Sequence, residues 1–453
     1  MSAAALHRAH SSLSWRAWAA AAGAAMDAVT ADRPSGAAIR VVSLSPAIPY
    51  PGIEHAGGQY LWRLHTALEG THHLTWVTQD RPSTLHALAQ PGVAPDVRLL
   101  ADRSVAKPWH QLVYQTADRV EAVVKKVDSQ PVPLGALIDM LCRPDIRRLV
   151  RGADVLDFQW EGWSRLAPWA RLINRRARLI FTFHDVQSQK CRREADKAPD
   201  RIRRLRWQLA GAWARAWERR ALALADHVLV FSAKDRDLLP RAPARKVVVI
   251  DPPLADGEPP QHIANDAHRV LMVGFMARQE NVDGLLWFAR EVWPLVRAAI
   301  PNAEFHVVGG AMSPGNASQF RGNHDGIILR GFVPDIADEY AQASVAVVPL
   351  LHGAGVKFKT IEALLAGVPV VTTSIGAEGI GGAGLFSGLT DLPDTFAQAV
   401  VEALVNNPLA VEQARVHQSA VWSRYSALTF ATAMRGVYSA PGSPLGQAGD
   451  EAR

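Results

Sequence analysis

Cysteine is nearly absent, with only Cys142 and Cys191 in 453 residues. Two thiols so far apart have no metal-ligand spacing and build no disulfide framework, which points to a reducing cytoplasm. No run of roughly 18 apolar residues occurs, so no membrane-spanning helix is expected. The first 38 residues lack the Leu- or Val-rich centre of a secretory signal. Their apolar run, Trp18 to Met26, is mostly alanine, and residues 1–38 read as a disordered N-terminal extension. Internal repeats, nucleic-acid motifs and clusters of His, Asp or Glu at metal spacing are also missing.

What is there is a globular composition, 48% hydrophobic and 20% charged. The length exceeds one ordinary core and predicts two domains. The formal charge of +6 favours polyanions in general without choosing among nucleic acid, anionic lipid and a phosphorylated substrate. A nucleic-acid binder would rest on this charge alone.

From residue 39 short β-branched runs alternate with helix-length amphipathic segments, the pattern of βα units on a parallel sheet. The first series lies at 39–44, 73–78, 97–100, 154–158, 178–184, 228–232 and 246–250. A Pro-rich stretch, 251–260, then reads as the start of an interdomain linker. The second series lies at 270–274, 304–309, 327–333, 345–350 and 369–373. Between its first two runs, residues 281–300 have helical apolar spacing, with Asn281 placed to cap the N-terminus. A single long helix is expected from Pro408 to about Val437. Two doubly wound sheets leave a cleft between the carboxyl ends of their strands, where ligands of such sheets bind.

The segment richest in chemistry is Leu350-Leu-His-Gly-Ala-Gly-Val-Lys-Phe-Lys-Thr-Ile-Glu-Ala-Leu-Leu-Ala-Gly367. It follows a strand and opens a helix. Gly353 and Gly355 let backbone N–H groups approach a ligand, and the helix N-terminus adds positive potential. Lys357 and Lys359 bring two cations to the same turn, a combination suited to a diphosphate. Glu362 shares a helix face with Lys359 and is placed to accept hydrogen bonds from hydroxyls. On spacing alone, a glycine turn before a surface helix with a Lys–Glu pair is an equal reading.

This segment resembles the donor-binding motif of the retaining glycosyltransferases of group 1, or family 4, with the GT-B architecture. Further segments are similar in order and spacing: Asn281-Val-Asp-Gly-Leu-Leu-Trp-Phe288, Gly331-Phe-Val-Pro-Asp335, and Pro369-Val-Val-Thr-Thr-Ser-Ile-Gly-Ala-Glu-Gly379. The first half adds His55-Ala-Gly-Gly58, Phe183-His-Asp-Val186 and Trp217-Glu-Arg-Arg-Ala221.

The resemblance implies two Rossmann-like doubly wound domains facing each other across a cleft. Residues 39–250 would form the acceptor-binding domain, 251–268 the linker and 269–420 the nucleotide-sugar domain. A helix over 421–439 would pack back toward the N-terminal domain before a disordered tail, 440–453. The resemblance also assigns roles. Lys357 and Lys359 would hold the donor pyrophosphate and stabilise the leaving group. Glu362 would bind ribose hydroxyls, and Phe332 and Val333 would lie where backbone holds the base. Gly353, Gly355 and Gly274 belong to the donor loops. Gly57 and Gly58 would form a loop leading into the helix 59–68. His184 would sit near the reacting sugar, with Asp185 orienting it or capping the next segment. No cofactor is implied beyond the nucleoside diphosphate sugar as co-substrate, and no metal. The acceptor would be a hydroxyl compound whose identity the sequence leaves open, a lipid-linked molecule and a polysaccharide being the candidates.

Three positions depart from the family pattern. Ala354 replaces the first of two glutamates, Phe275 replaces an arginine after Gly274, and a lysine nearby is missing, with Arg278 the nearest cation. A branch of the family carries the Gly-x-Gly-x-Lys-x-Lys-x-x-Glu loop found here. With Ala354 in the loop no carboxylate nucleophile is visible, and a front-face route, in which the leaving phosphate takes the acceptor's proton, needs no protein base. A catalytically silent nucleotide-sugar-binding protein and a sugar-nucleotide epimerase are the alternatives of the same fold.

Two further motifs have plainer readings. Asp235-Arg-Asp237 resembles a metal-binding pair but falls at a helix start, where the dipole favours carboxylates. The Arg- and Trp-rich stretch from Arg192 to Arg220 reads as a long helix with a solvated basic face, Trp213 and Trp217 turning to the core. The same composition suits peripheral contact with the inner face of an anionic membrane.

Overall fold

The computed structural model describes residues 38–53, 56–102, 108–125, 128, 130–240, 246–320, 326–353 and 355–439. The extension expected over 1–37, the tail over 440–453 and Ala354 lie outside the described residues. Among the described residues the chain divides into two compact units, Leu254–Ser426 and a second that combines residues 38–253 with 427–439.

The N-terminal unit is built on β1 (Ile39–Leu44), β2 (His72–Gln79), β3 (Val97–Leu100), β4 (Val155–Gln159), β5 (Arg178–Thr182), β6 (His227–Val230) and β7 (Val247–Val249). Their order is β3-β2-β1-β4-β5-β6-β7, and every neighbouring pair is parallel. Strands covered on both faces need apolar residues at successive positions, and Val155, Leu156 and Phe158 of β4 are buried beside Leu179, Ile180 and Phe181 of β5. The sheet order reverses direction between β1 and β4.

The C-terminal unit repeats the plan with β8 (Arg269–Val273), β9 (Glu304–Val308), β10 (Ile327–Gly331), β11 (Val345–Val348), β12 (Val370–Thr372) and β13 (Gly388–Leu389). Their order, β10-β9-β8-β11-β12-β13, is also parallel throughout and reverses between β8 and β11. Its core gathers Val270, Leu285, Phe288, Phe305, Val347 and Phe396.

Four local expectations change. The helix read over 281–300 begins at Gln279, so Asn281 lies in its first turn rather than at its cap. The same helix carries a π-turn, Phe288–Val292, just before Pro294, whose missing N–H and bulky ring disrupt the regular ladder. The single helix expected after Pro408 is two, Asn407–Arg424 and Ala427–Tyr438. Between them the Tyr425 carbonyl accepts hydrogen bonds from the backbone N–H of Leu254 and Ala255, each 2.9 Å long. Finally, Trp213 is exposed, while Trp217 is half-buried and donates to Ser164 Oγ at 2.9 Å.

The linker expected over 251–268 is tied down near its end. Asn265 donates its backbone N–H to Asn407 Oδ1 at 2.9 Å and accepts from Ser344 Oγ at 2.6 Å. The last helix belongs to the N-terminal unit. Arg435 Nε donates to the Ala67 carbonyl at 2.9 Å, and the Phe430 ring meets Tyr60 edge-on at 5.8 Å.

Candidate active site

In the C-terminal unit the switch point between β8 and β11 is bordered by two loops. Gly274 directly follows β8, and its N–H donates to the Val308 carbonyl at 2.9 Å. Neighbouring Gly309 comes so close that a Cβ there would lie 1.7 Å from the Gly274 carbonyl oxygen. The loop after β11 turns through Gly353 (φ +126°) and Gly355 (φ +72°), a backbone that residues with a Cβ rarely adopt. The helix Phe358–Leu365 follows, with Lys357 at its N-cap.

A third glycine draws the neighbouring helix onto this loop. At Gly284 a Cβ would lie 2.5 Å from the Pro349 carbonyl oxygen, so only glycine permits the approach. The helix Gln279–Trp287 thereby brings Asp283 to His352, Oδ2 to Nε2 2.7 Å, and Asn281 to Lys359, whose ammonium donates to Asn281 Oδ1. Asn281 also donates to the Phe275 carbonyl at 2.8 Å, joining the loop after β8 to the helix after β11.

Both lysines turn inward. Lys357 is only 8% exposed; its Nζ donates to the Gly355 carbonyl at 2.5 Å and stands 3.9 Å from the Glu378 carboxylate. Lys359 is half-buried, and burial, reinforced by the charge of Lys357, lowers its ammonium to about 8. Glu362 sits one turn on; burial raises its carboxyl and the Lys359 charge opposes that rise. Phe332 follows β10 and is 72% exposed, whereas Val333 is half-buried against the core. A helix N-terminus with two desolvated ammonium groups attracts an anion strongly, because little water screens them.

The N-terminal unit has its own cluster at the matching switch point. Gly57 and Gly58 are not in a loop but in the first turn of the helix Ala56–Leu68. A Cβ on Gly57 would lie 2.6 Å from Cζ2 of Trp160. Trp160, directly after β4, adopts φ +65°, a strained backbone for a bulky residue. Its indole stacks on the His184 ring, and Tyr60 and Phe231 meet that ring edge-on, each at 5.2 Å.

The remaining edge of His184 is polar. Gln159 donates its amide to both Asp157 carboxylate oxygens, at 2.8 and 3.0 Å, which turns its carbonyl toward His184 Nε2 at 3.3 Å. With the amide so oriented, Nε2 carries the imidazole proton. Asp157 also accepts from Ser43 Oγ at 2.6 Å, and burial pushes its carboxyl up to about 6. Beside Trp160 opens a cavity of about 590 Å³, lined by Gln79, Arg81, Glu121, Lys125 and Trp163 among others.

Asp235 and Asp237 do not form a pair. Asp235 exchanges hydrogen bonds with Ser232 as a helix cap, and Asp237 accepts from Arg236 at 3.0 Å. Among the described residues no group of His, Cys, Asp or Glu is arranged to hold a metal ion. Asn281, Asp283 and Glu378, which touch the donor loop, were not singled out as site residues by sequence. Each stands in a motif quoted above, and an Asn near a helix start reads by default as a cap.

Residues 57–255 match the model of Glycosyltransferase Family 4, and residues 267–406 match that of Glycosyl transferases group 1. A 44.6 kDa protein in the cps region of Klebsiella pneumoniae is 31% identical over 118 residues, a match covering 25% of this chain and 30% of that relative. Sucrose-phosphate synthase from Thermosynechococcus elongatus has a similar fold, with a TM-score of 0.60 at 15% identity over 88% of this chain and 98% of that one. So does Anabaena Alr3699/HepE in complex with UDP and glucose, with a TM-score of 0.56 at 13% identity over 87% and 97% of the two chains. The chain thus carries the two Rossmann-like domains of a GT-B glycosyltransferase, a family 4 domain followed by a group 1 domain.

Proposed function

We propose that the chain transfers a hexosyl-type group from a nucleoside diphosphate sugar to a hydroxyl acceptor, with retention at the anomeric carbon and without a metal ion. One observation carries the reading: two inward-turned ammonium groups, Lys357 and Lys359, at a glycine-shaped helix N-terminus beside the β8/β11 switch point. They replace a divalent ion as the counter-charge of a diphosphate. The similar Anabaena structure holds UDP and glucose, which supports a nucleotide-sugar donor.

Lys357 exchanges its contact with Gly355 and Glu378 for the donor phosphates. Lys359 reaches them from Asn281, Glu362 takes the ribose hydroxyls, and backbone at Phe332 and Val333 holds the base. As the bond from the anomeric carbon to phosphate oxygen breaks, the acceptor oxygen bonds to that carbon from the same face, and its proton passes to the departing phosphate. His184, locked in orientation by Trp160 and Gln159, holds a substrate hydroxyl. The cavity beside Trp160 receives the acceptor, where an aromatic side chain and planar polar groups suit the hydroxyls of a glycan or a lipid-linked sugar. The reading keeps the chain in the cytoplasm, where its thiols stay reduced.

A thermal-shift screen against uridine, guanosine, adenosine and thymidine diphosphate sugars tests the assignment, followed by turnover with the stabilising donor. A ligand bound only by the folded state raises the melting temperature. If no sugar nucleotide does so, the donor-site reading fails.

A further inference from the structure

The helix Arg201–Leu224 has a buried face and an exposed apolar stripe. Ala210, Ala214, Glu218 and Ala221 face inward. Glu218 fixes the helix to its neighbour, Gln187–Lys197, by accepting from Ser188 N–H at 2.9 Å and Ser188 Oγ at 2.8 Å. A Cβ on Gly211 would lie 3.3 Å from the Cβ of Cys191, so the two helices are close there.

On another side Ile202, Leu205, Leu209 and Trp213 are 82%, 56%, 64% and 62% exposed. Their spacings of three, four and four residues align them in one stripe about 16 Å long. By helical position, exposed arginines border it, Arg201, Arg215 and Arg219 on one side and Arg206 on the other, while Arg220 continues the line. The only acid in the helix is the buried Glu218.

We propose that this stripe is a seat for an anionic lipid surface. Isoleucine, leucine and tryptophan in an exposed row gain by entering the headgroup and acyl boundary, and bordering arginines gain from anionic headgroups around them. A second copy of the chain is a poor occupant, because pairing two such stripes would bring together two rows of arginine without carboxylates between them. The seat is independent of the donor loop, and its test uses no substrate.

The test is co-sedimentation of the full chain with phosphatidylcholine vesicles, with and without phosphatidylglycerol. The chain binds the phosphatidylglycerol vesicles, and added salt releases it. The triple variant I202Q/L209Q/W213Q keeps its circular dichroism and melting temperature, since these side chains face solvent, and loses at least about tenfold in partitioning. The R201Q/R206Q variant binds the anionic vesicles more weakly and with less salt sensitivity. Equal binding of wild type and triple variant, or no binding to anionic vesicles, overturns the proposal. So does a wild-type dimer, seen by analytical ultracentrifugation, that the triple variant converts to monomer, since a second copy would then own the stripe.

Discussion

The indole of Trp160 lies flat on the imidazole of His184, their centroids 3.7 Å apart and their planes 3° from parallel. With Gln159 bonded to Nε2, the ring is held in one orientation. Trp160→Ala removes the stack and lets the ring turn. Turnover is expected to fall about 10- to 100-fold, the cost of misplacing a reacting group, with donor affinity within a few-fold of wild type. Steady-state kinetics and calorimetry on one preparation check this, and an equal loss of both would assign Trp160 to packing alone.

Gly57→Ala probes the same contact from the opposite side. Its methyl would sit 2.6 Å from the Trp160 ring, and the indole must move or the helix start must shift. Overpacking of this kind costs about 1–3 kcal/mol, read as a lower denaturation midpoint, and the turnover defect of Trp160→Ala should accompany it. Wild-type turnover in a destabilised Gly57→Ala protein would separate the indole from catalysis.

Lys359 gives the donor site a pH dependence. Its ammonium titrates near 8 in the folded protein and near 10.4 in an unfolded chain. Donor binding should weaken as pH rises through about 8, because the phosphates lose a cation. Stability moves the other way: between about 8 and 10.4 the unfolded chain binds more protons, so this residue makes folding more favourable as pH rises. A Lys359→Arg variant, whose guanidinium stays charged, should flatten the donor-binding profile in that window. Calorimetry at several pH values reads the difference.

Lys357 and Glu378 make a test by opposition. Lys357→Ala removes a charge-assisted phosphate contact and should weaken donor binding by about tenfold or more. Glu378→Gln removes the carboxylate standing 3.9 Å from the same ammonium and should leave donor binding unchanged or a few-fold tighter. Weaker binding in Glu378→Gln would place that carboxylate among the groups that hold the donor.

The two sheets were legible because parallel strands are covered on both faces, so their residues form β-branched runs that alternate with helical periods. The donor loop was legible because its glycines and lysines are adjacent in sequence. What escaped the reading depends on contacts between distant segments. Asn281 meets Lys359 across 78 positions, and its partner cannot be read from helix-start chemistry. Trp160 adopts its unusual backbone beside residues from the helix after β1 and from the end of β5, and no local pattern announces it. The break at Tyr425 follows from a carbonyl taken by Leu254 and Ala255, while Trp213 has the same spacing to Trp217 whether it faces the core or water.

The helix Ala427–Tyr438 completes the unit built on β1 to β7, anchored through Arg435 to Ala67 and by the bond from Arg178 to the Val437 carbonyl at 3.1 Å. A ribosome makes this helix only after every strand of both sheets has been released. Among the described residues the unit over Leu254–Ser426 is continuous in sequence and has all its parts before then. Order of synthesis and order of completion are therefore reversed, and the half translated first must wait for the half translated second.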